Sequence, residues 1–276
     1  MRVLRSCFYA LALLALFASA LSCSKEEGVE YAECSIGVAL EAEAKSGEGT
    51  AAERVRYFVY EVVGENWSLL PSLTGEKALE VSGTTSISLR LVKDKAYAVA
   101  FWADFAPEGS AAELYTVDAS AATISINSAC ATANNANADA FFAAVPVIGS
   151  AANISVTLKR VLAKVNIVVT EIPSGAEKST ATISGVATTF SFRENEVTST
   201  RGSIEYKAAS CTSLPDVITS SRTMLSLHTF APAATENASL TFKVLNSEGT
   251  AIVEKSVPAL PLKRNTITNV QYTAPL

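Results

Sequence analysis

Residues 154–170 read ISVTLKRVLAKVNIVVT, and this stretch limits the fold more than any other. Apolar side chains first fall on even positions, at Ile154, Val156 and Leu158. After Lys159-Arg160 they fall on odd ones, at Val161, Ala163, Val165, Ile167 and Val169. Successive side chains of a strand point to opposite faces, so a change of phase moves the buried face to the other side. Two β arrangements do this: a bulge near Arg160, or a long strand that leaves one sandwich and enters a second. A helix also accommodates Leu158, Val161, Leu162 and Val165. The β-branched residues on both flanks favour strand.

The remaining pattern agrees with strand. Residues 32–44 alternate loosely (Cys34, Ile36, Val38, Leu40) and read as a first strand. Residues 55–63 are apolar on both faces, which marks a central strand. Residues 64–75 read as a loop carrying Trp67. Ile87, Leu89 and Leu91 share one face of 85–91. In 96–104, Tyr97, Val99 and Phe101 face one way and Ala98, Ala100 and Trp102 the other, which places Trp102 in a core. Residues 114–117, 123–126, 140–148, 181–192, 223–230, 239–245 and 250–257 add further short strands. Asn246-Ser247-Glu248-Gly249 is a hairpin signal, and Pro258 and Pro261 confine their neighbourhood to a loop or an edge. Residues 265–272 close the chain. With 49% hydrophobic and 18% charged residues in 276, this is a packing chain with room for two domains. The expectation is an all-β fold of two tandem β-sandwich domains, 31–153 and 154–276.

The N-terminus reads as an address. Arg2 and Arg5 form a basic region, and the apolar run from Cys7 to Leu21 is short for a bilayer span, which takes about 20 residues. Ala18-Ser19-Ala20 fits an ordinary signal-peptidase site. Ala20-Leu21-Ser22-Cys23 resembles a bacterial lipobox, which makes Cys23 the lipidated first residue. Ser24-Lys25-Glu26-Glu27 resembles the acidic export signal of surface lipoproteins, and it favours the second reading. The expectation is a signal peptide over 1–22, a tether over 23–30, and an outer-membrane lipid anchor facing the cell surface. Cys34, Cys130 and Cys211 then remain. Their spacing fits no zinc motif; an oxidising compartment allows one disulfide at most among the three, and the reading favoured over a bridge is three small buried hydrophobes.

Chemistry is sparse. The net charge is −5 and becomes more acidic once Arg2 and Arg5 leave, which argues against nucleic acid as a partner. His228 is the single histidine, mid-strand and without a nucleophile elbow, so a Ser-His-Asp triad has no support. Cofactor motifs are absent. Asn134, Asn135, Asn137 and Asp139 read as an Asn-rich turn rather than a calcium loop. Trp67 is the candidate ligand platform for a glycan. Nothing places two carboxylates across a cleft, so the chain reads as a non-enzyme.

A resemblance covers most of the mature chain. VTLKRVLAKVNIVV is similar to the strand that opens the second domain of fimbrillin-like proteins, the type V pilins and their relatives. YAVAFWAD (97–104), NNANADAFF (134–142) and PLKRNTITN (261–269) resemble three segments, in the same order, of a related lipoprotein family of unknown function. The resemblance implies two transthyretin-like sandwiches and a structural or adhesive surface lipoprotein: a pilus subunit, anchor or tip. In polymerising members a protease cuts after an Arg behind the first strand, and a neighbour's C-terminal segment fills the groove. This implies pilin-like subunits as partners by strand addition. It also puts Arg54 or Arg56 at the cut, with 32–44 as the removable strand. A host or glycan ligand, and a surface glycan-binding module of a nutrient-uptake system, is the alternative. The chain ends seven residues after Asn269, which leaves a short tail for donation.

Overall fold

The computed structural model describes residues 29–41, 52–109, 111–150, 153–212, 214 and 221–273. The expected leader, Cys23 and most of the tether lie outside the described residues. Ten strands precede the phase change: β1 (Tyr31–Leu40), β2 (Arg54–Val63), β3 (Asn66–Leu69), β4 (Gly75–Ala78), β5 (Thr84–Val92), β6 (Ala96–Asp104), β7 (Tyr115–Asp118), β8 (Thr123–Ile126), β9 (Phe141–Ile148) and β10 (Asn153–Arg160). Nine follow: β11 (Leu162–Val169), β12 (Lys178–Ala187), β13 (Thr189–Ser191), β14 (Glu196–Val197), β15 (Arg201–Ser210), β16 (Arg222–Phe230), β17 (Glu236–Leu245), β18 (Ala251–Leu262) and β19 (Ile267–Gln271). Helical structure among the described residues is limited to 3-10 turns at Pro71–Leu73 and Ala136–Ala138.

The first sandwich has two layers. One is β5-β1-β10; the other is β3-β2-β6-β9, with β4 beside β2. β10 turns the corner between them. Its residues 153–158 run parallel to β1, while Lys159 and Arg160 pair with Phe142 and Phe141 of β9. Between the layers lie Ile36, Val38 and Leu40 of β1, Ile87, Leu89 and Leu91 of β5, and Val99 and Phe101 of β6. These are the alternating sets expected from the period of two.

β6 is buried on both faces. Ala98, Ala100 and Trp102 point into a second core. The second sandwich packs sheet β16-β11-β19 on sheet β15-β12-β17-β18. Val165, Ile167, Leu225, Leu227, Ile183, Leu240 and Phe242 fill it, and they share one continuous core with Trp102 and Phe142. A further sheet, β14-β13-β8-β7, takes two strands from each half of the chain, with Phe190 opposite Ile124. Aromatic rings join the two halves: Phe142 and Phe192 stack at 5.1 Å, and Trp102 meets Phe230 edge-on at 6.2 Å.

The phase change is therefore a change of sheet. β10 ends at Arg160 in the first sandwich, Val161 donates to Ala140 O (3.2 Å), and β11 begins at Leu162 in the second. By hydrogen bonding, residues 153–160 belong with the strands before them. Inside β11, Asn166 is fully buried and donates to Asn269 Oδ1 at 2.9 Å across the parallel pairing with β19. A slip of that strand by one residue would break this bond, so the pair pins the register. β18 carries both Pro258 and Pro261 and lies at a sheet edge, where a missing N–H costs no ladder bond.

Candidate functional site

The first strand occupies a slot. β1 is paired antiparallel with β5 over 31–39 and parallel with β10 over 35–40, so both edges are occupied over 35–39. Its start is held by Lys93 N–H donating to Glu30 O (2.8 Å) and by the Lys93–Glu30 ion pair (2.9 Å). Its end is held by Glu41 N–H donating to Leu158 O (3.0 Å), while the Glu41 carboxylate accepts from Arg160 N–H at 2.9 Å. Burial of Ile36, Val38 and Leu40 contributes roughly 5–9 kcal/mol by transfer bookkeeping. An empty slot would also leave the facing edges of β5 and β10 unpaired. Removing β1 must therefore be coupled to refilling its place with an alternating apolar strand.

The two arginines sit just behind this strand, inside β2. Arg54 is 7% exposed. Its Nε donates to Asp104 Oδ1 at 2.7 Å, Nη1 to Glu76 at 3.1 Å, and Nη2 to Glu113 at 2.5 Å. Arg56 Nη2 donates to the other Asp104 oxygen, which also accepts from Trp102 Nε1 at 3.0 Å. Burial pushes the Asp104 carboxyl up, and the Arg56 and Arg54 guanidiniums pull it back. Burial also opposes the Arg54 charge, but hydrogen bonds to Glu113 and Asp104 hold it protonated. Both arginine backbones are paired with β4 on one side and β6 on the other. A protease that needs an extended substrate reaches neither bond until β2 has left its sheet. The candidate cut site is also an ion-pair anchor, because β6 supplies Asp104 directly opposite Arg54.

Trp67 lies in β3, a four-residue strand and not a loop. Its ring is half-buried and packs on Tyr60 at 5.2 Å. In the Asn-rich turn the side-chain oxygens of Asn134, Asn135 and Asp139 have protein partners. Asn134 Oδ1 accepts from Ser226 N–H (2.8 Å), Asn135 Oδ1 from Asn137 N–H (3.0 Å), and Asp139 pairs with Arg160 at 2.7 Å. Asn134 also donates to Ser179 Oγ and Ser210 O, so one side chain links β12, β15 and β16. Cys34, Cys130 and Cys211 are all free thiols, the first and last buried. A groove of about 190 Å³ lies beside Gly185, Phe230 and Leu262, below the ~300 Å³ at which small-molecule sites begin.

A family model described as a family of unknown function, DUF6562, matches residues 34–272. The chain belongs to that family. The matched span begins inside β1 and ends just past β19, so it covers both sandwiches and the shared sheet of this chain. Solved structures similar to the chain include a candidate adhesin from Bacteroides ovatus, 13% identical, with a TM-score of 0.47, over 91% of this chain and 92% of that one. The fimbrial anchor protein Mfa2 from Porphyromonas gingivalis is 13% identical with a TM-score of 0.44, over 81% and 82% of the two chains. A fimbrial assembly protein from Parabacteroides distasonis is 13% identical with a TM-score of 0.44, over 88% and 91%. No curated protein matches.

Within the family span, His228 titrates abnormally. It sits in β16 opposite Lys164, 9% exposed. Burial pushes its pKa down to about 4; Asp139 works against this, and Lys164 and Arg160 reinforce it. The unfolded chain takes up the proton near 6.5, so stability is complete above that pH and falls as pH drops toward 4. The full loss is roughly 3 kcal/mol. Urea midpoints at pH 7 and pH 4 should differ less for His228→Gln than for the wild type. An equal difference for both would remove this assignment.

Proposed function

We propose that the chain is a non-enzymatic, lipid-anchored surface protein of fimbrillin-like type, outer-membrane in location and structural or adhesive in role. Cys23 carries the lipid, and other pilin-like subunits are its partners. The lipobox-like ALSC and the acidic residues behind it support the anchor. The ordered motifs at 97–104, 134–142 and 261–269 support the relationship. In this reading their residues serve packing: Trp102 is core, Phe142 joins the halves, and Arg264 ion-pairs with Glu196 at 2.6 Å.

One observation bears on the choice between a shaft subunit that loses its first strand and a subunit that keeps it. Arg54 and Arg56 are locked onto Asp104 within a strand paired on both sides. We therefore favour a subunit that retains β1, whether it serves as an anchor, a tip or an adhesive component. The test is the mass of the protein extracted from membranes. The expected species starts at an acylated Cys23 and retains 31–40, and Cys23→Ala abolishes palmitate incorporation. A mature protein starting at Val55 or Tyr57 overturns the retained strand. Palmitate incorporation equal in both forms overturns the anchor. Cells lacking the gene should lose fibres or whole-cell adherence, and cells unchanged in both would refute the structural and adhesive role.

A further inference from the structure

Among the described residues, the exposed large hydrophobic side chains are Val29, Tyr31, Val63, Val81, Ile148, Ile252 and Ile267. Four of these seven gather at one end of the first sandwich. The hairpin at Val92–Lys95 is the hub that brings them together. Tyr31 pairs with Val92, and Lys93 N–H donates to Glu30 O at 2.8 Å, so the entry of the chain at Val29 lies beside it. Ile148 pairs with Ala96, and Gly149 N–H donates to Lys95 O at 2.9 Å. A Cβ on Gly149 would fall 1.9 Å from Val92 O, which shows how closely Gly149 is seated on this hairpin. On the far side Glu61 pairs with Tyr97 and its carboxylate holds Lys95 at 2.7 Å, which places the Val63 tip next to the same hairpin.

These side chains are too exposed to contribute to the sandwich's own core. Val63 is 66% exposed, Ile148 61%, Val29 59% and Tyr31 48%. Exposed apolar tips drawn from separate turns onto one end are a surface built to meet something apolar. The charges among them are partly neutralised: Lys93 is paired with Glu30 and Lys95 with Glu61. Arg90 lies over the Tyr31 ring at 4.5 Å. Long cationic side chains and a tyrosine suit a water–lipid boundary, where the stem is buried and the polar head stays wet.

The occupant follows from the length of the tether. Six residue steps separate Cys23 from Val29, which extend to at most about 20 Å. A lipid on Cys23 places that residue at the bilayer surface, so the end of the protein entered at Val29 is the end held against it. We infer that Val29, Tyr31, Val63 and Ile148 form a membrane-facing end that dips into the headgroup boundary of the bilayer carrying the Cys23 lipid. This rests on the lipid anchor proposed above. The protein then stands on the end of its first sandwich, with Ile252 and Ile267 of the second sandwich away from the bilayer.

Site-specific quenching tests this with the acylated full chain. In a Cys130→Ser background, Val63→Cys, Ile148→Cys, Ile252→Cys and Ile267→Cys each take an environment-sensitive fluorophore; Cys34 and Cys211 are buried. Each protein is reconstituted into vesicles of phosphatidylethanolamine and phosphatidylglycerol containing headgroup-region nitroxide lipid. Labels at 63 and 148 should lose emission and shift to the blue; labels at 252 and 267 should do neither. Protein that floats with the vesicles while 63 and 148 stay unquenched, or while all four quench alike, overturns the membrane-facing end and leaves the anchor intact. Quenching of only one of 63 and 148 overturns the shared face. Protein that carries no acyl group and does not float refutes the anchor and this inference with it.

Discussion

Asp104→Ala is expected to cost about 3–5 kcal/mol, a large part of the stability of an ordinary domain. Asp104 is 1% exposed and accepts from Arg54 Nε, Arg56 Nη2 and Trp102 Nε1. Removing it leaves two guanidiniums and an indole N–H without their shared acceptor. Arg54 keeps Glu113 and Glu76. Arg56 is left with the Tyr115 carbonyl at 3.4 Å, and its Nε already lacks a partner. The penalty is that of buried charge without compensation and not the strength of a surface ion pair. Glu76→Ala makes the contrast: its side chain is 50% exposed, and its loss should cost under about 1 kcal/mol. Urea unfolding of both variants measures the difference. If Asp104→Ala unfolds with the wild-type midpoint, the cluster does not anchor β2 to β6.

The sequence made some of this legible and hid the rest for identifiable reasons. Trp102 could be placed because two apolar rows alternate through 96–104 without a break, and only a strand covered on both faces needs that. The phase change at Lys159-Arg160 could be seen because side-chain direction is a local property of a strand. Its consequence could not be located from the pattern alone, since pairing of 153–158 with β1 joins residues more than a hundred positions apart. β3 and β15 escaped notice. β3 is four residues of mixed character after a two-residue turn at Gly64-Glu65. β15 points only Ile204 and Tyr206 fully inward, too few to declare a period. The arginines illustrate the opposite problem. An Arg behind a first strand is legible as a candidate cut site, but its ion-pair partner is not, because Asp104 is fifty residues away in the chain. The shared sheet was hidden for the same reason, because β8 and β13 are each too short to reveal a partner.

Val165→Asp should be the most damaging single change, at or above about 4–5 kcal/mol. Val165 is fully buried at the centre of β11, between Leu227 of β16 and Thr268 of β19. A carboxylate there meets no cation among its paired neighbours, so it must either stay protonated at a cost or drive the sheet apart. Val165→Thr changes shape little and adds a hydroxyl, and should cost about 1–3 kcal/mol. The way the loss spreads is as informative as its size. Both tryptophans, Trp67 and Trp102, lie before the phase change, yet Trp102 shares one continuous core with Val165. If that core couples the halves, Val165→Asp lowers the tryptophan-fluorescence transition and the far-ultraviolet circular dichroism transition together, in one step. Two sandwiches joined only by a strand would instead keep native tryptophan emission while the second half melted. Separate transitions would therefore show that Phe142, Phe190, Phe192 and Phe230 merely touch at the junction. Coincident transitions would show that the change of sheet at Val161 makes one mechanical body from two sandwiches.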